Sequence, residues 1–396
     1  MPRLTFPESA AVEFGIARPH EGKLLMRGNF QLPFKNLWVR FTDNIDAPLF
    51  ALAFALLLLG IITLASAAHE TPARVTGQAA NILVALGMMW AVAQFQPQTL
   101  MRFALPAYAF GLALLIAVAL FGEVVNGARR WLNIGVTRIQ PSEIMKIAMP
   151  LMLAWHFQKH EASLKLRDYL VASLLLAVPV LLIARQPDLG TALLVTAAGF
   201  YVIFLAGLSW KILLGLALAG GASLPFLWSL MHDYQRRRIL TLLDPTSDPL
   251  GAGYHIIQSV IAVGSGGLAG KGWLKGTQAH LEFIPERSTD FIFAVFSEEF
   301  GLIGNCLLLL LYLLLIARGL SIAANAPTFF ARLLAGAVTL TFFTYVFVNM
   351  GMVSGILPVV GVPLPMVSFG GTALVTLFLG IGILMSIHRH RKLVQT

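Results

Sequence analysis

Residues 49–68 read LFALAFALLLLGIITLASAA, twenty residues with no charge, no Pro and no side-chain amide. At about 1.5 Å per helical residue this run covers about 30 Å, the thickness of a bilayer's hydrocarbon core. It is therefore a membrane-crossing helix. Comparable runs follow at 77–96, 103–121, 140–157, 169–184, 189–208, 211–231, 291–317, 333–354 and 366–387. Ten runs predict an all-α polytopic membrane protein with about ten transmembrane helices. The Gly and Pro inside them are tolerated where neighbouring helices satisfy the freed main chain.

Composition agrees. Of 396 residues, 57% are hydrophobic and 12% are charged, about half the charge density of soluble domains. That excludes a disordered chain, a disulfide scaffold and an ordinary soluble enzyme. The single Cys306 excludes a disulfide or a Cys-based metal site. An even number of spans leaves both ends on one side. The Lys and Arg of residues 1–46, the alternate short loops and the end Arg389-His390-Arg391-Lys392 outnumber those opposite, so both ends are expected to be cytoplasmic. Residues 1–46 read as a cytoplasmic tail and 47–396 as the membrane domain. The longest interruption, 232–290, falls between the seventh and eighth spans on the outer side.

The outer segments gather unusual chemistry. Arg129, Arg130 and Trp131 stand in a Gly-punctuated loop that leads to Gln140-Pro141-Ser142-Glu143. Glu143 and Lys146 share a helical face, either as a structural ion pair or as a substrate contact. Asp188 is placed to cap the sixth span or to pair with Arg185 across the tight turn. In the long loop, Gly264-Ser265-Gly266-Gly267-Leu268-Ala269-Gly270-Lys271 lacks nucleotide-loop spacing, but could present N–H groups to phosphate or be a simple turn. Asp290 stands at a span boundary. Glu298 lies about 12 Å further along the helix, with Glu299 beside it. Acids within a span are expected to line a hydrated cavity. His232, His255, His280, His388 and His390 suggest no ligand cluster.

Several strings in order carry a resemblance. They are Arg130-Trp131-Leu132 with Gln140-Pro141-Ser142-Glu143; Gln186-Pro187-Asp188-Leu189-Gly190-Thr191; Leu243-Asp244-Pro245 with Asp248-Pro249-Leu250-Gly251-Ala252-Gly253-Tyr254-His255; Thr289-Asp290-Phe291-Ile292-Phe293-Ala294; and Gly355-Ile356-Leu357-Pro358-Val359-Val360-Gly361 with Ser368-Phe369-Gly370-Gly371-Thr372. Over roughly residues 50–393 the chain resembles the elongation branch of the SEDS family of bacterial membrane proteins. The longer N-terminal tail is not covered.

The resemblance implies a ten-helix SEDS-type bundle in the bacterial inner membrane. It implies a peptidoglycan glycosyltransferase that polymerises lipid II and releases undecaprenyl pyrophosphate. Asp290 matches the family's essential Asp, as general base or as ligand of a divalent cation, Mg²⁺ or Mn²⁺. Trp131, Glu143, Lys146 and Asp188 match functional motif positions. Arg129, Arg130 and Lys271 join them as candidate substrate contacts. Expected partners are a class B penicillin-binding protein, the MreB-type elongation machinery and membrane lipids. No organic cofactor and no nucleic acid is expected. Other readings are a lipid II flippase, a scaffold for the transpeptidase, or a division-type member of the family. Ser288 departs from the family's usual His, and Phe369 from its commoner Tyr.

Overall fold

The computed structural model describes residues 45–391, apart from 70, 126–127, 134–137, 232, 249–250, 282 and 285. Of the expected tail, residues 1–46, the first 44 lie outside the described residues, as does Lys392. The chain opens with α1 (Ala47–Ala67), α2 (Pro72–Ala93), α3 (Pro97–Arg102) and α4 (Ala104–Phe121). Strands β1 (Glu123–Val125), β2 (Ala128–Asn133) and β3 (Arg138–Ile139) follow. Next come α5 (Pro141–Lys159), α6 (Leu166–Ala184), α7 (Leu189–Leu205) and α8 (Trp210–Leu230). The long loop holds α9 (Asp233–Leu243), a 3₁₀ turn at Pro245–Ser247, α10 (Ala252–Ser265) and α11 (Thr277–His280). Then α12 (Ile292–Ala324), α13 (Phe329–Val353) and α14 (Gly371–His390) complete the domain.

A helix stands at each of the ten predicted runs. Seven are long and apolar enough to cross a membrane. Helix α7 and the Trp210–Phe226 stretch of α8 are apolar but shorter, and α5 carries Glu143 and Lys146 among its buried residues. The starts follow local chemistry. Pro opens α2, α3 and α5, where its missing N–H is not needed. The side chain of Asp46 accepts the Leu49 N–H at 3.0 Å, and that of Thr328 accepts the Ala331 N–H at 3.2 Å.

Helix α13 is the axis of the bundle, mostly buried and packed on α5, α7, α12 and α14. Around it α14 lies along α2, α4 along α5, α6 along α7, and α1 along α12. Helix α8 turns much of its apolar surface outward, with Leu216, Leu218 and Phe226 more than half exposed. At one end Asp46 joins α1 to Arg318 of α12 (Nη2–Oδ2 2.5 Å) and to His388 of α14 (3.1 Å). Burial opposes ionisation of Asp46. Arg318, the Leu49 N–H and His388 nonetheless hold its carboxyl below its ordinary value.

Three expectations need correction. The segment taken as a Gly-punctuated loop is an antiparallel sheet in the order β1-β2-β3, because its residues alternate and pair (Leu132 opposite Ile139, Asn133 opposite Arg138). The all-α class therefore holds for the bundle but not for this appendage. The last helix begins at Gly371, not 366, since Ser368 and Phe369 are drawn into hydrogen bonds with the Asp290 loop, and Ser368 and Gly370 into bonds with Gln78 of α2. Finally, Glu298 and Glu299 do not line a hydrated cavity. Both are buried and bound by the long loop.

That binding follows from a break in α12. Gly301 has φ 65° and ψ −162°, which interrupts the helix inside its apolar length. The loop repairs the main chain there. Leu302 N–H donates to Gly267 O at 2.9 Å and Ile303 N–H to Leu268 O at 3.1 Å. Lys271 and Gly272 N–H groups donate to Glu298 O and Glu299 O, each at 3.0 Å. The side chains add to this. Glu298 Oε1 accepts from Lys271 Nζ at 2.6 Å, and Glu299 Oε1 accepts the Leu274 N–H at 3.1 Å and the Ser66 hydroxyl.

The Gly301 conformation is nearly exclusive to Gly, and an added Cβ would crowd the main chain of Leu268 to Gly270. Gly301→Ala should therefore destabilise the domain by about 1–3 kcal/mol or more, read as a lower melting temperature in detergent. Ala at Gly264, which has open space around it, should leave the melt far less changed.

Candidate active site

Asp290 sits in the turn before α12, and two loops fix its place. Thr289 N–H donates to Glu286 O at 3.1 Å, and Phe291 N–H to the same oxygen at 3.3 Å. From the α13–α14 connection, Phe369 N–H donates to Ser288 O at 2.8 Å, and Ser368 Oγ to Thr289 O at 2.6 Å. The Ser368 hydroxyl in turn accepts the Leu364 N–H at 2.8 Å. Asn349 of α13 joins the two loops. Its Nδ2 donates to Asp290 O at 2.8 Å and to Val362 O at 2.7 Å. The buried Ser288, where relatives were expected to carry His, accepts from Arg74 Nη1 at 2.6 Å, so α2 is tied in as well.

The carboxylate lies against main chain. Gly361 has φ +74°, and a Cβ there would stand 3.3 Å from Asp290 Oδ2. Burial, with a smaller push from Glu286 and against the pull of Arg130, raises the Asp290 carboxyl from 3.8 to about 6. Between those two values the folded state holds the proton more tightly than the unfolded chain. This residue's contribution to stability therefore falls as pH rises from about 4 to about 6. His255 of α10 stacks on Phe291, with centroids 5.5 Å apart. Burial pushes its imidazole down, while Glu286 and Asp248 oppose the shift.

Arg130 acts on Asp290 through its charge and reaches the start of α7. Its Nη1 lies 3.8 Å from Asp188 Oδ2, and its buried Nε has no protein partner among the described residues. Asp188 caps α7 through the Thr191 N–H at 3.1 Å and accepts from Gln140 Nε2 at 3.1 Å. Capping is thus realised, and the charge partner is Arg130 in place of Arg185. The β1–β2 pairing slips here, with Val124 opposite Arg129 and Glu123 opposite Trp131, which leaves Arg130 unpaired in a bulge. Arg129, next to it on β2, reaches back to Ala119 O at 3.4 Å. Trp131 is half-buried on the same strand, opposite Glu123.

Glu143 and Lys146 meet as expected, Nζ to Oε1 at 2.7 Å, and Lys146 also donates to Tyr345 Oη of α13 at 2.7 Å. Glu143 Oε2 is buried without a protein partner among the described residues. It borders a groove of about 520 Å³ between α2, α4, α5 and α14. Gln140, Glu143 and Asn81 supply the polar lining, and Val84, Leu151 and Leu379 belong to the apolar lining. A second groove of about 390 Å³ between α6, α7 and α8 is almost wholly apolar and holds none of the predicted site residues.

Other outer bases are committed elsewhere. Lys271 is held by Glu298 and by Thr277 Oγ1 at 2.9 Å. Arg236 donates to Trp228 O and Ser229 O, at 3.0 and 2.8 Å, at the end of α8. The site thus gathers Asp290, Arg130 and Asp188, with Gln140 leading to the Glu143–Lys146–Tyr345 group. Lys271, Glu298 and Glu299 belong to the α12 repair.

Comparisons with known proteins identify the family. Residues 47–393 match the family described as Cell cycle protein, FtsW/RodA/SpoVE. The chain belongs to the FtsW/RodA/SpoVE family. It is 51% identical over 362 residues to the peptidoglycan glycosyltransferase MrdB of Escherichia coli K12, covering 91% of this chain and 97% of the relative. It is 38% identical over 289 residues to the stage V sporulation protein E of Bacillus subtilis, covering 72% and 77%. Among solved structures it resembles the rod shape determining protein RodA of Thermus thermophilus, at TM-score 0.66 and 30% identity over 87% of this chain and 97% of that one. A chain from a peptidoglycan synthase complex that coordinates polymerization and crosslinking matches at TM-score 0.77 and 34% identity, covering 89% and 99%. The family match starts at residue 47, where the tail was expected to end.

Sequence reasoning missed Asn349, Tyr345, Arg74 and Ser368. The signal for Asn349 was present, since a lone amide in an apolar run must have a specific partner. Asn349→Leu leaves two main-chain carbonyls without this donor. It should cost about 1–3 kcal/mol, seen as a lower melting temperature, and should depress catalysis by loosening Asp290.

Proposed function

We propose that this peptidoglycan glycosyltransferase polymerises lipid II during cell elongation, with Asp290 as the base that activates the acceptor. The observation that carries the reading is the placement of a half-buried carboxylate, raised to about 6, under the influence of the Arg130 cation. A base in that range is ionised at neutral pH yet binds a proton more tightly than an ordinary Asp.

In this mechanism the GlcNAc 4-hydroxyl of incoming lipid II gives its proton to Asp290. Its oxygen attacks C1 of the growing strand's reducing-end sugar. The C1–O bond breaks with inversion, and undecaprenyl pyrophosphate leaves with the bonding electrons. Arg130 stabilises the developing charge on the pyrophosphate. When the pyrophosphate draws Arg130 toward itself, Asp290 loses the group that lowers its proton affinity and becomes a stronger base.

The apolar groove beside Glu143 suits a polyprenyl chain. Glu143 and Lys146 neutralise one another, which supports a structural ion pair holding α5 to α13 through Tyr345. Glu143 is among the residues that line the groove, and its remaining oxygen is buried without a protein partner among the described residues. Asp290 is the residue that would hold a divalent cation, Mg²⁺ or Mn²⁺, since a dication would offset the burial of its carboxylate and the nearby charge of Glu286. Such an ion would supply charge neutralisation at the pyrophosphate.

All ten helices span the bacterial inner membrane in this reading, with both termini cytoplasmic and Asp290 at the outer face. A class B penicillin-binding protein cross-links the product, and MreB-type machinery directs it. The peptidoglycan synthase complex among the structural neighbours supports a transpeptidase partner.

In proteoliposomes given lipid II, Asp290→Ala should abolish polymer while leaving the protein inserted and its melt near the parent's. The parent's rate should rise with pH through about 6 and then level, because only the ionised carboxylate accepts a proton. Polymer made at the parent's rate by Asp290→Ala would overturn the reading. If Asp290→Asn instead recovers activity as Mn²⁺ is raised, the ligand role replaces the base.

A further inference from the structure

We propose that His156, His160 and Asp168 form a binding site for a zinc-class divalent transition-metal ion at the α5–α6 turn. The site lies about 20 Å along α5 from Glu143, thirteen residues at 1.5 Å each. It is therefore at the opposite end of the bundle from Asp290 and is separate from the polymerising machinery.

One ring nitrogen from each His and one Asp168 carboxylate oxygen lie within 4.8 Å of one another. His156 and His160 stand four residues apart, on the same face of the helix and its cap, with ring centroids 4.9 Å apart. Asp168 arrives from the first turn of α6.

The hydrogen bonds around the cluster match the surroundings of a metal ligand. Ligating His residues almost always give their other ring nitrogen to a carbonyl or carboxylate, which fixes the tautomer. Here His156 Nε2 meets Asp168 O at 3.1 Å, and His160 Nδ1 meets His156 O at 2.9 Å. His156 Nδ1 and His160 Nε2 remain as lone-pair nitrogens with no protein partner among the described residues. As whole residues, His156 and Asp168 are more than nine-tenths buried. Asp168 also has its own supporting contact, accepting the Lys165 N–H at 2.9 Å. The nearest competing cation on α5, Lys159, is held over the Trp155 ring at 5.6 Å.

Two imidazoles and a carboxylate suit Zn²⁺ and its neighbours better than Mg²⁺ or Ca²⁺, which prefer all-oxygen shells. Ligands about 2.0–2.1 Å from one ion sit about 3.3 Å apart. The cluster must therefore close by about 1.5 Å at its widest pair. His160, half-buried just past the end of α5, can supply that movement. A bound ion would clamp α5 to α6 and leave a fourth position for water.

The test uses tag-free full-length protein in nanodiscs, titrated with Zn²⁺ by calorimetry and with Co²⁺ by absorption. One saturable site, an intense tetrahedral Co²⁺ spectrum and a melting temperature that rises with Zn²⁺ are expected. His160→Gln and Asp168→Asn should each weaken binding by more than the roughly 10–100-fold that even an outer-shell partner is worth. Asp168→Asn keeps an oxygen to accept the Lys165 N–H, so a parent-like melt without metal would show that the helix cap survives. Both variants should polymerise lipid II at the parent's rate in buffer that contains Mg²⁺ and is depleted of transition metals. Absence of saturable Zn²⁺ binding to the parent, or equal binding by parent and His160→Gln, overturns the site and leaves the cluster as a hydrogen-bonded tie between helices.

Discussion

A main-chain N–H or C=O left without a partner in hydrocarbon costs several kcal/mol, and the break at Gly301 would strand four of them. Everything on the outer side of α12 is arranged around that constraint. The loop that follows α10 repairs the ladder by offering its carbonyls to Leu302 and Ile303 and its N–H groups to Glu298 and Glu299. The two Glu side chains reach back and hold the loop's other end through Lys271, Leu274 and Gln278. The long loop is thereby docked on α12 from Gly267 to Gln278.

Asp290 depends on the same economy of polar groups. It stands where two irregular segments meet, 286–291 and 355–370, and neither has a helix or sheet ladder to satisfy it. Asn349, Ser368, Arg74 and Gln78 satisfy them, all drawn from neighbouring helices or from the segments themselves. Each polar side chain binds main chain or Ser288 in the Asp290 region, so placement of the carboxylate is shared among α2, α12, α13 and the approach to α14. Ser288 illustrates the fit. A small hydroxyl, buried and bonded to Arg74, fills a place where a ring would need more room.

The sequence was legible where one residue's chemistry sufficed. Twenty uncharged residues at 49–68 announced a span without help from elsewhere. Asp188 announced a cap, and Glu143 with Lys146 a pair. It was misleading where two distant segments decide. Lys271 looked free for phosphate because its partner Glu298 lies across the loop, and both acids looked like cavity lining for the same reason. The strand at 128–133 was hidden by flanking Gly residues, since a short hairpin has too few residues to show alternation. His156 and His160 were passed over because their third partner, Asp168, belongs to the next helix.

The strand also explains why two adjacent Arg residues are not two site residues. On a helix or an open loop, Arg129 and Arg130 could both turn toward one anion. On β2 the pairing slips, with Val124 opposite Arg129 and Glu123 opposite Trp131, so Arg130 is the unpaired residue of a bulge. Arg129 leans on the end of α4, while Arg130 reaches Asp188 and acts on Asp290 through its charge. Its 3.8 Å approach to Asp188 is loose for an ion pair. An arginine held this loosely is easily drawn to another anion. Gln140 and the Thr191 N–H keep Asp188 supplied with hydrogen bonds when that happens. The capping of α7, the bulge of β2 and the burial of Asp290 thus converge on a single loosely held charge.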